Sequence, residues 1–272
     1  MPYPKIALDG AVVAVTGGAR GIGKATASLF TSKGATVCVG DLDTSDAPDA
    51  LVVDVTSRES FGAFVDTVLS RHGRIDILVN NAGVMPLGDF LVEDDAISRT
   101  TLDVNVWGLI HGMRAVMPHM IERGRGHVVN VASMAGKLVV PGMAVYNASK
   151  FGAVGLSAAV RQEYRGTGVS VSAVLPSAVR TRLASGVPLG HGMPTVDADD
   201  VARAIVGSVR RRRAEITVPR YLAAWDLVNA AVPEPAMRLG RRVIGDRRAL
   251  TSVQQDVRAA YEETIAAQAS GR

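Results

Sequence analysis

Apolar positions along the chain fall into two rhythms. Seven short runs rich in Val and Ile, at Ala11–Val15, Ala35–Val39, Leu51–Val53, Ile75–Val79, His127–Val131, Val169–Val174 and Glu215–Val218, read as strands of a buried parallel sheet. Longer stretches between them, Ile22–Lys33, Arg58–His72, Thr100–Arg123, Ala144–Arg165 and Asp199–Arg210, carry helical periodicity, and several end near Gly or a basic residue as helix C-termini prefer. The alternation predicts an α/β fold in which crossover helices join seven parallel strands. The connection Asp41–Ala50 is too short and too rich in Asp, Ser and Pro for a helix, an unusual feature in a parallel crossover. Thr181–Pro194, dense in Gly and Pro, reads as a mobile loop. Beyond Pro219 a pair or trio of basic helices is expected, whose Leu222, Trp225, Leu227, Val228, Val243 and Ile244 need a surface to pack on.

At 272 residues and 47% hydrophobic content the chain can bury a full core as one large domain, with residues 1–218 as its body and 219–272 as a helical extension. The lone Cys38 excludes an internal disulfide framework or thiolate metal cluster, so a reducing, cytoplasmic setting and no metal are expected. A start without an apolar signal core, and no run of eighteen apolar residues, predict a soluble, untargeted protein. The net charge of +4 comes from the C-terminal end, at Arg210–Arg213, Arg241, Arg242, Arg247 and Arg248. With aromatics at only 4%, no interleaved aromatic and basic pattern suggests a nucleic-acid partner. Those basic helices leave open extra packing, a subunit contact, or a weak membrane-surface contact.

Candidate chemistry begins after the first strand, where Gly17, Arg20, Gly21, Ile22 and Gly23 form a glycine-rich turn opening a helix. Glycines allow a tight turn and close backbone approach to a pyrophosphate, and the helix start offers free N–H groups. Asp41 follows eighteen positions after Gly23, at the end of the next strand, suited to the adenosine ribose hydroxyls and repelling a 2′-phosphate. NAD is therefore expected over NADP, with Arg20 as the contrary residue because a guanidinium can pair with that phosphate. The sheet is then a Rossmann-type, doubly wound one.

Tyr146 and Lys150 lie four apart in a helical stretch and share one face. A phenol has a pKa of about 10, and a cation within roughly 4–6 Å favours the phenolate by about one to three units. Such a Tyr can act as acid or base. Ser133 stands just past the strand His127–Val131, at the carboxyl edge where open α/β sheets bind ligands.

Taken together, Thr16-Gly17-x-x-x-Gly21-Ile22-Gly23, Asn80-Asn81-Ala82-Gly83, Asn105, Ser133 and Tyr146-Asn-Ala-Ser-Lys150 resemble the short-chain dehydrogenase/reductase family, in order and spacing, from about Leu8 to Val218. The resemblance implies an enzyme moving a hydride between a nicotinamide dinucleotide and an alcohol or ketone carbon. By it, Tyr146 exchanges a proton with the substrate oxygen, Ser133 hydrogen-bonds that oxygen, Lys150 binds the nicotinamide ribose and depresses the tyrosine pKa, and Asn105 holds a water on a relay to Lys150. It also implies that Asp54 and Val55 contact the adenine, that Asn81, Ala82 and Gly83 flank the adenosine side, and that Pro176, Val179 and Thr181 meet the nicotinamide amide. Where the family carries Pro-Gly, this chain has Pro176-Ser177. The family's subunit interface would fall on Thr100–Arg123 and Ala144–Arg165, implying a homotetramer or homodimer. Loop residues Met85, Pro86, Met134, Val140, Met143, Leu183, Val187 and Leu189 suggest an apolar alcohol or ketone substrate. The alternative is a dinucleotide-binding redox sensor without turnover.

Overall fold

In a computed structural model the protein is described over residues 3–187, 194–232 and 254–270. The apolar runs become strands β1 (Val12–Thr16), β2 (Thr36–Asp41), β3 (Leu51–Val52), β4 (Ile77–Asn80), β5 (Gly126–Val131), β6 (Val169–Pro176) and, past two short strands, β9 (Glu215–Val218). They form one parallel sheet in the order β3-β2-β1-β4-β5-β6-β9, the seven strands expected. Every residue of β1, β4, β5 and β6 is buried, so the polar residues they carry, Asn80, His127, Asn130, Ser170 and Ser172, lie inside as well.

Helices cover both faces. On one side α1 (Gly21–Thr31) and α6 (Ala198–Arg211) pack together over a core of Val13, Val15, Phe30, Ile77 and Ile205. On the other, α2 (Arg58–His72), α4 (Gly108–Glu122) and α5 (Ala144–Glu163) cover Val12, Phe61, Phe64, Leu78 and Val116. The chain winds outward from β1 to β3, then returns to start β4 beside β1. The order therefore reverses between β1 and β4, and their carboxyl ends open a crevice.

The helix-free link from β2 to β3 is confirmed: Gly40 pairs with Leu51 and Asp41 with Val52 in parallel register across a connection without a helix. Elsewhere the structure refines the sequence reading. The helix expected from Thr100 begins as α3 (Asp95–Leu102), because the Asp94 carboxylate accepts from the Ala96 N–H at 2.7 Å and caps it. A π-helical turn, Asp103–Trp107, then joins α3 to α4.

Two short strands, β7 (Ala178–Val179) and β8 (Thr195–Val196), pair in parallel and bracket the expected loop. Its described part, 181–187, is not loose: Gly186 O accepts from Gln254 N at 2.9 Å, and Ser185 O from Arg258 at 3.0 Å. The extension supplies α7 (Trp225–Ala231) and α8 (Gln255–Ser270). Leu222 and Trp225 pack on the core and Ile265 is buried in it, whereas Leu227 is 73% exposed. Arg212 does not belong to a solvated basic cluster: it is buried, donating to Gly126 O at 3.0 Å and Ser170 Oγ at 2.8 Å. Val243, Ile244, Arg241, Arg242, Arg247, Arg248 and Leu189 lie outside the described residues. No helix among the described residues is long and apolar enough to cross a membrane.

Candidate active site

A cavity of about 690 Å³ opens at the carboxyl edge of the sheet, within the size range of small-molecule sites. One end is made by the turn after β1. Gly17 and Gly21 adopt φ of 63° and 55°, which side chains rarely tolerate. A Cβ on Gly23 would stand 2.1 Å from Gly17 O, and one on Gly17 would stand 2.8 Å from Ala82 Cα, so this turn is closed by backbone contact. Gly23 is therefore behind the cavity, while Gly17, Arg20, Gly21 and Ile22 line it. Asn81 also serves the turn: its amide donates to Thr16 O at 3.1 Å and Gly17 O at 2.8 Å.

Asp41 lines the cavity from the end of β2 and accepts from Ala19 N at 3.0 Å through Oδ2, tying the strand end to the glycine turn. Arg20 Nη2 donates to Asp43 Oδ2 at 2.6 Å and Asp43 O at 3.2 Å, and its Nε lies 3.8 Å from Asp46. The Arg20 hydrogen bond holds the Asp43 carboxyl well below the usual carboxylate range. Asp54 and Val55 line the same wall, Asp54 accepting from Thr56 N at 2.9 Å.

Across the sheet, Ser133 caps a 3-10 turn (Met134–Gly136), accepting from Ala135 N at 3.1 Å. That turn lies against α5 because residue 136 is glycine; a Cβ there would stand 2.6 Å from Lys150 O. Asn147 fastens it further, donating to Ala135 O and Leu138 O, both at 2.7 Å. Ser133 is thereby delivered beside Tyr146, where its hydroxyl favours ionisation of the phenol. Lys150, one turn along α5, sets its Nζ 5.6 Å from the Tyr146 ring centre and donates to Val131 O at 3.4 Å. Both residues are 6% exposed and both line the cavity.

Here the electrostatics depart from the sequence expectation. Burial pushes the Tyr146 hydroxyl up to about 12, the Ser133 hydroxyl pulling the other way, while burial lowers Lys150 to about 8. Desolvation is the largest influence on the phenol, and it acts against the lowering expected from a neighbouring cation.

Asn105 sits in the π-helical turn, is buried, and is not among the residues that line the cavity. Its Oδ1 accepts from Val84 N at 3.0 Å, and its Nδ2 donates to Val84 O at 2.9 Å and Ser149 Oγ at 3.0 Å. Gly83, which does line it, sits between: a Cβ there would stand 3.2 Å from Asn105 Oδ1 and 3.6 Å from Lys150 Nζ. Ala82, Asn81, Pro176, Val179 and Thr181 complete the expected set in the cavity wall.

Of the expected apolar positions, Met85, Met134, Val140, Met143, Leu183 and Val187 line the cavity, and Pro86 is not among its wall residues. Sequence reasoning missed the part of the wall that the extension supplies, Leu222, Trp225 and Asn229 and, from α8, Tyr261, Thr264, Ile265 and Gln268. Arg258 of α8 is fully buried and donates to the carbonyls of Met85, Leu183 and Ser185, while Tyr261 Oη accepts from Met85 N at 2.9 Å. The spacing Tyr261, Ile265, Ala269 was the available signal, a helix face at four-residue intervals.

Several features fit a nicotinamide dinucleotide. The glycine turn opens at Gly21, where a Cβ would meet nothing nearer than Thr181 Cγ2 at 3.5 Å, and Asp41 offers a carboxylate at the same end of the cavity. The Ser177 hydroxyl in the same wall is buried without a partner among the described residues. Residues 11–189 match the family model described as short chain dehydrogenase. The chain belongs to this family. It is 34% identical over 194 residues to the 3-oxoacyl-acyl-carrier-protein reductase FabG of Thermotoga maritima, covering 66% of this chain and 79% of the relative. Estradiol 17-beta-dehydrogenase 11 of Rattus norvegicus is 30% identical over 260 residues, covering 90% of this chain and 87% of that one. Among solved structures, a short-chain dehydrogenase/reductase from Burkholderia phymatum in complex with NAD matches with a TM-score of 0.73 at 28% identity, over 82% of this chain and 93% of that one. This short-chain dehydrogenase is thus an oxidoreductase acting on CH–OH groups with a nicotinamide cofactor, and the family match favours it over a sensor without turnover.

Proposed function

We propose that the protein is an NAD-preferring dehydrogenase of an apolar secondary alcohol or the corresponding ketone, with Tyr146 as its general acid and base. The observation that carries this reading is the buried Tyr146, flanked by Lys150 and in one cavity with Ser133 and the glycine turn. A bound nicotinamide supplies or accepts the hydride at the substrate carbon. In ketone reduction Tyr146 donates its proton to the substrate oxygen, and Ser133 donates a hydrogen bond to the same oxygen, stabilising the charge that develops there. In the reverse direction Tyr146 takes the alcohol proton. Lys150 binds the nicotinamide ribose hydroxyls and supplies positive charge beside the phenol. Asn105, clamped to Val84 and Ser149, acts as a positioning residue for α5 and the Gly83 segment.

NAD preference is supported by Asp41 and by the engagement of Arg20 with Asp43, which leaves that guanidinium matched before any 2′-phosphate arrives. An apolar substrate is supported by Met134, Met143, Leu183, Trp225 and Ile265 around the cavity, and by the steroid named for the rat relative. The same reading takes residues 219–272 as part of the domain that carries the site, and places the protein in the cytoplasm. It also takes the chain as a homotetramer or homodimer through residues Thr100–Arg123 and Ala144–Arg165, where Trp107 of the π-helical turn and Phe151 of α5 are 47% and 44% exposed. Light scattering that finds only monomer at micromolar concentration removes the last point.

Fluorescence titration with NADH and NADPH, paired with turnover of a panel of ketones, tests the core. Tyr146→Phe is expected to bind NADH as the wild type does while kcat falls about 10²–10⁴-fold. Asp43→Asn is expected to improve NADPH binding and leave NADH binding within about twofold. Full turnover by Tyr146→Phe, or tighter binding of NADPH than NADH by the wild type, overturns the corresponding part.

A further inference from the structure

Ser177 stands where the resembling family carries glycine, directly after Pro176 at the carboxyl end of β6. The substitution is accommodated without strain: among the described residues only Arg212 is a non-glycine residue with positive φ. Its backbone is held by the strand pairing, Ser177 N donating to Val218 O at 2.8 Å, so the side chain has a fixed origin. The residue is 7% exposed and lines the cavity, yet its Oγ has no hydrogen-bond partner among the described residues. Native proteins rarely leave a buried hydroxyl unpaired, and a binding role is one of the few reasons to retain one.

Its place along the carboxyl edge narrows what it meets. Asp41 ends β2 and Ser177 follows β6, with β1, β4 and β5 between, so four strand spacings of about 4.8 Å set the two roughly 19 Å apart. With Asp41 at the adenosine ribose, Ser177 falls at the opposite end of an extended dinucleotide, one strand beyond the β5 edge that carries Ser133. We infer that Ser177 is a cofactor-binding residue whose hydroxyl hydrogen-bonds the carboxamide of the nicotinamide ring, an inference that rests on the dinucleotide reading above. A carboxamide presents one carbonyl acceptor and two N–H donors, and a hydroxyl rotates to complement either. The contact would fix the rotation of the ring about its glycosidic bond and so the face presented to the substrate carbon.

The test is equilibrium binding to the full chain of two probes, NADH and ADP-ribose, which lacks the nicotinamide ring. Ser177→Ala and Ser177→Gly are expected to weaken NADH about three- to tenfold and to leave ADP-ribose unchanged. The melting temperature of the ligand-free Ser177→Ala protein should hold or rise, since a partnerless hydroxyl has been removed. Unchanged NADH affinity in both variants overturns the inference, even if the KM of a ketone rises, because the hydroxyl would then serve the substrate. Equal weakening of both probes overturns it as well, by showing a general disturbance of the edge. Should the wild type bind neither probe, the dinucleotide reading itself fails, a result distinct from either outcome.

Discussion

The two ends of the cavity are built on opposite principles. At the glycine turn, closeness is achieved by leaving side chains out: Gly23 and Gly17 O, or Gly17 and Ala82 Cα, are too near to admit a Cβ. At the other end, closeness is achieved by reaching across the chain. Arg258 and Tyr261 of α8 take both the C=O and the N–H of Met85, more than 170 residues away in sequence. The first end is set by backbone conformation at a sheet edge, which suits a ligand whose phosphates are the same in every reaction. The second is set by side chains from a late helix, and such a wall can change with its substrate while the sheet stays as it is.

The comparison breaks first at Gly23. Gly23→Ala places a methyl 2.1 Å from Gly17 O and 2.6 Å from Asn81 Nδ2, and neither can retreat without opening the turn. NADH binding is expected to fall more than about 100-fold, with a loss of roughly 2–4 kcal/mol of stability. Gly62→Ala in α2 is the control: nothing lies within 4 Å of its Cβ site, so a gain of about 0.5–1 kcal/mol is expected from helix propensity. Urea unfolding and NADH titration of the two variants read both effects.

Arg258→Met should sharpen the comparison by damaging one end only. It leaves the carbonyls of Met85, Leu183 and Ser185 without their donor and removes the cation stacked 5.1 Å from the Tyr261 ring. The expected stability loss is about 2–4 kcal/mol, and KM for a ketone should rise roughly tenfold while NADH affinity stays within about twofold. An NADH loss as large as the KM rise would mean that the two ends are not separate.

This division also explains what could be read in the sequence. The glycine turn, Asp41, Ser133 and the Tyr146–Lys150 pair were legible because each lies within a few residues of a strand end or on one helix face. Seven strands and the helix-free Asp41–Ala50 connection followed from runs of Val and Ile and from loop length. Less legible was anything decided by docking. Tyr261, Ile265 and Ala269 mark a helix face, but nothing local says that it covers this cavity. The Asp94 cap and the π-helical turn around Asn105 shifted a helix start by five residues, from Thr100 to Asp95. The pKa of Tyr146 was misjudged because spacing reveals the neighbouring cation and not the depth of burial, and burial is the larger effect here.

The smallest expected effect concerns Lys150, which stands between the two ends. Burial lowers its pKa from 10.5 to about 8, so the folded protein gives up this proton at a lower pH than the unfolded chain does. Below about pH 8 both states carry the charge, and the folded one bears the cost of burying it. Between about pH 8 and 10.5 the unfolded state binds more protons, so this group's contribution to stability rises with pH across that window. Lys150→Met removes the titration and the buried charge together. At pH 7 the variant should be about 1–3 kcal/mol more stable than the wild type, and the difference should shrink as the pH passes 8. Turnover would be lost at every pH, because the variant has no ammonium for the ribose hydroxyls or for charge on Tyr146. A wild type that melts higher than Lys150→Met at pH 7 would mean that the ammonium is already well paired in the ligand-free chain. Its place beside Tyr146 would then reflect folding and not a cost accepted for the sake of the bound cofactor.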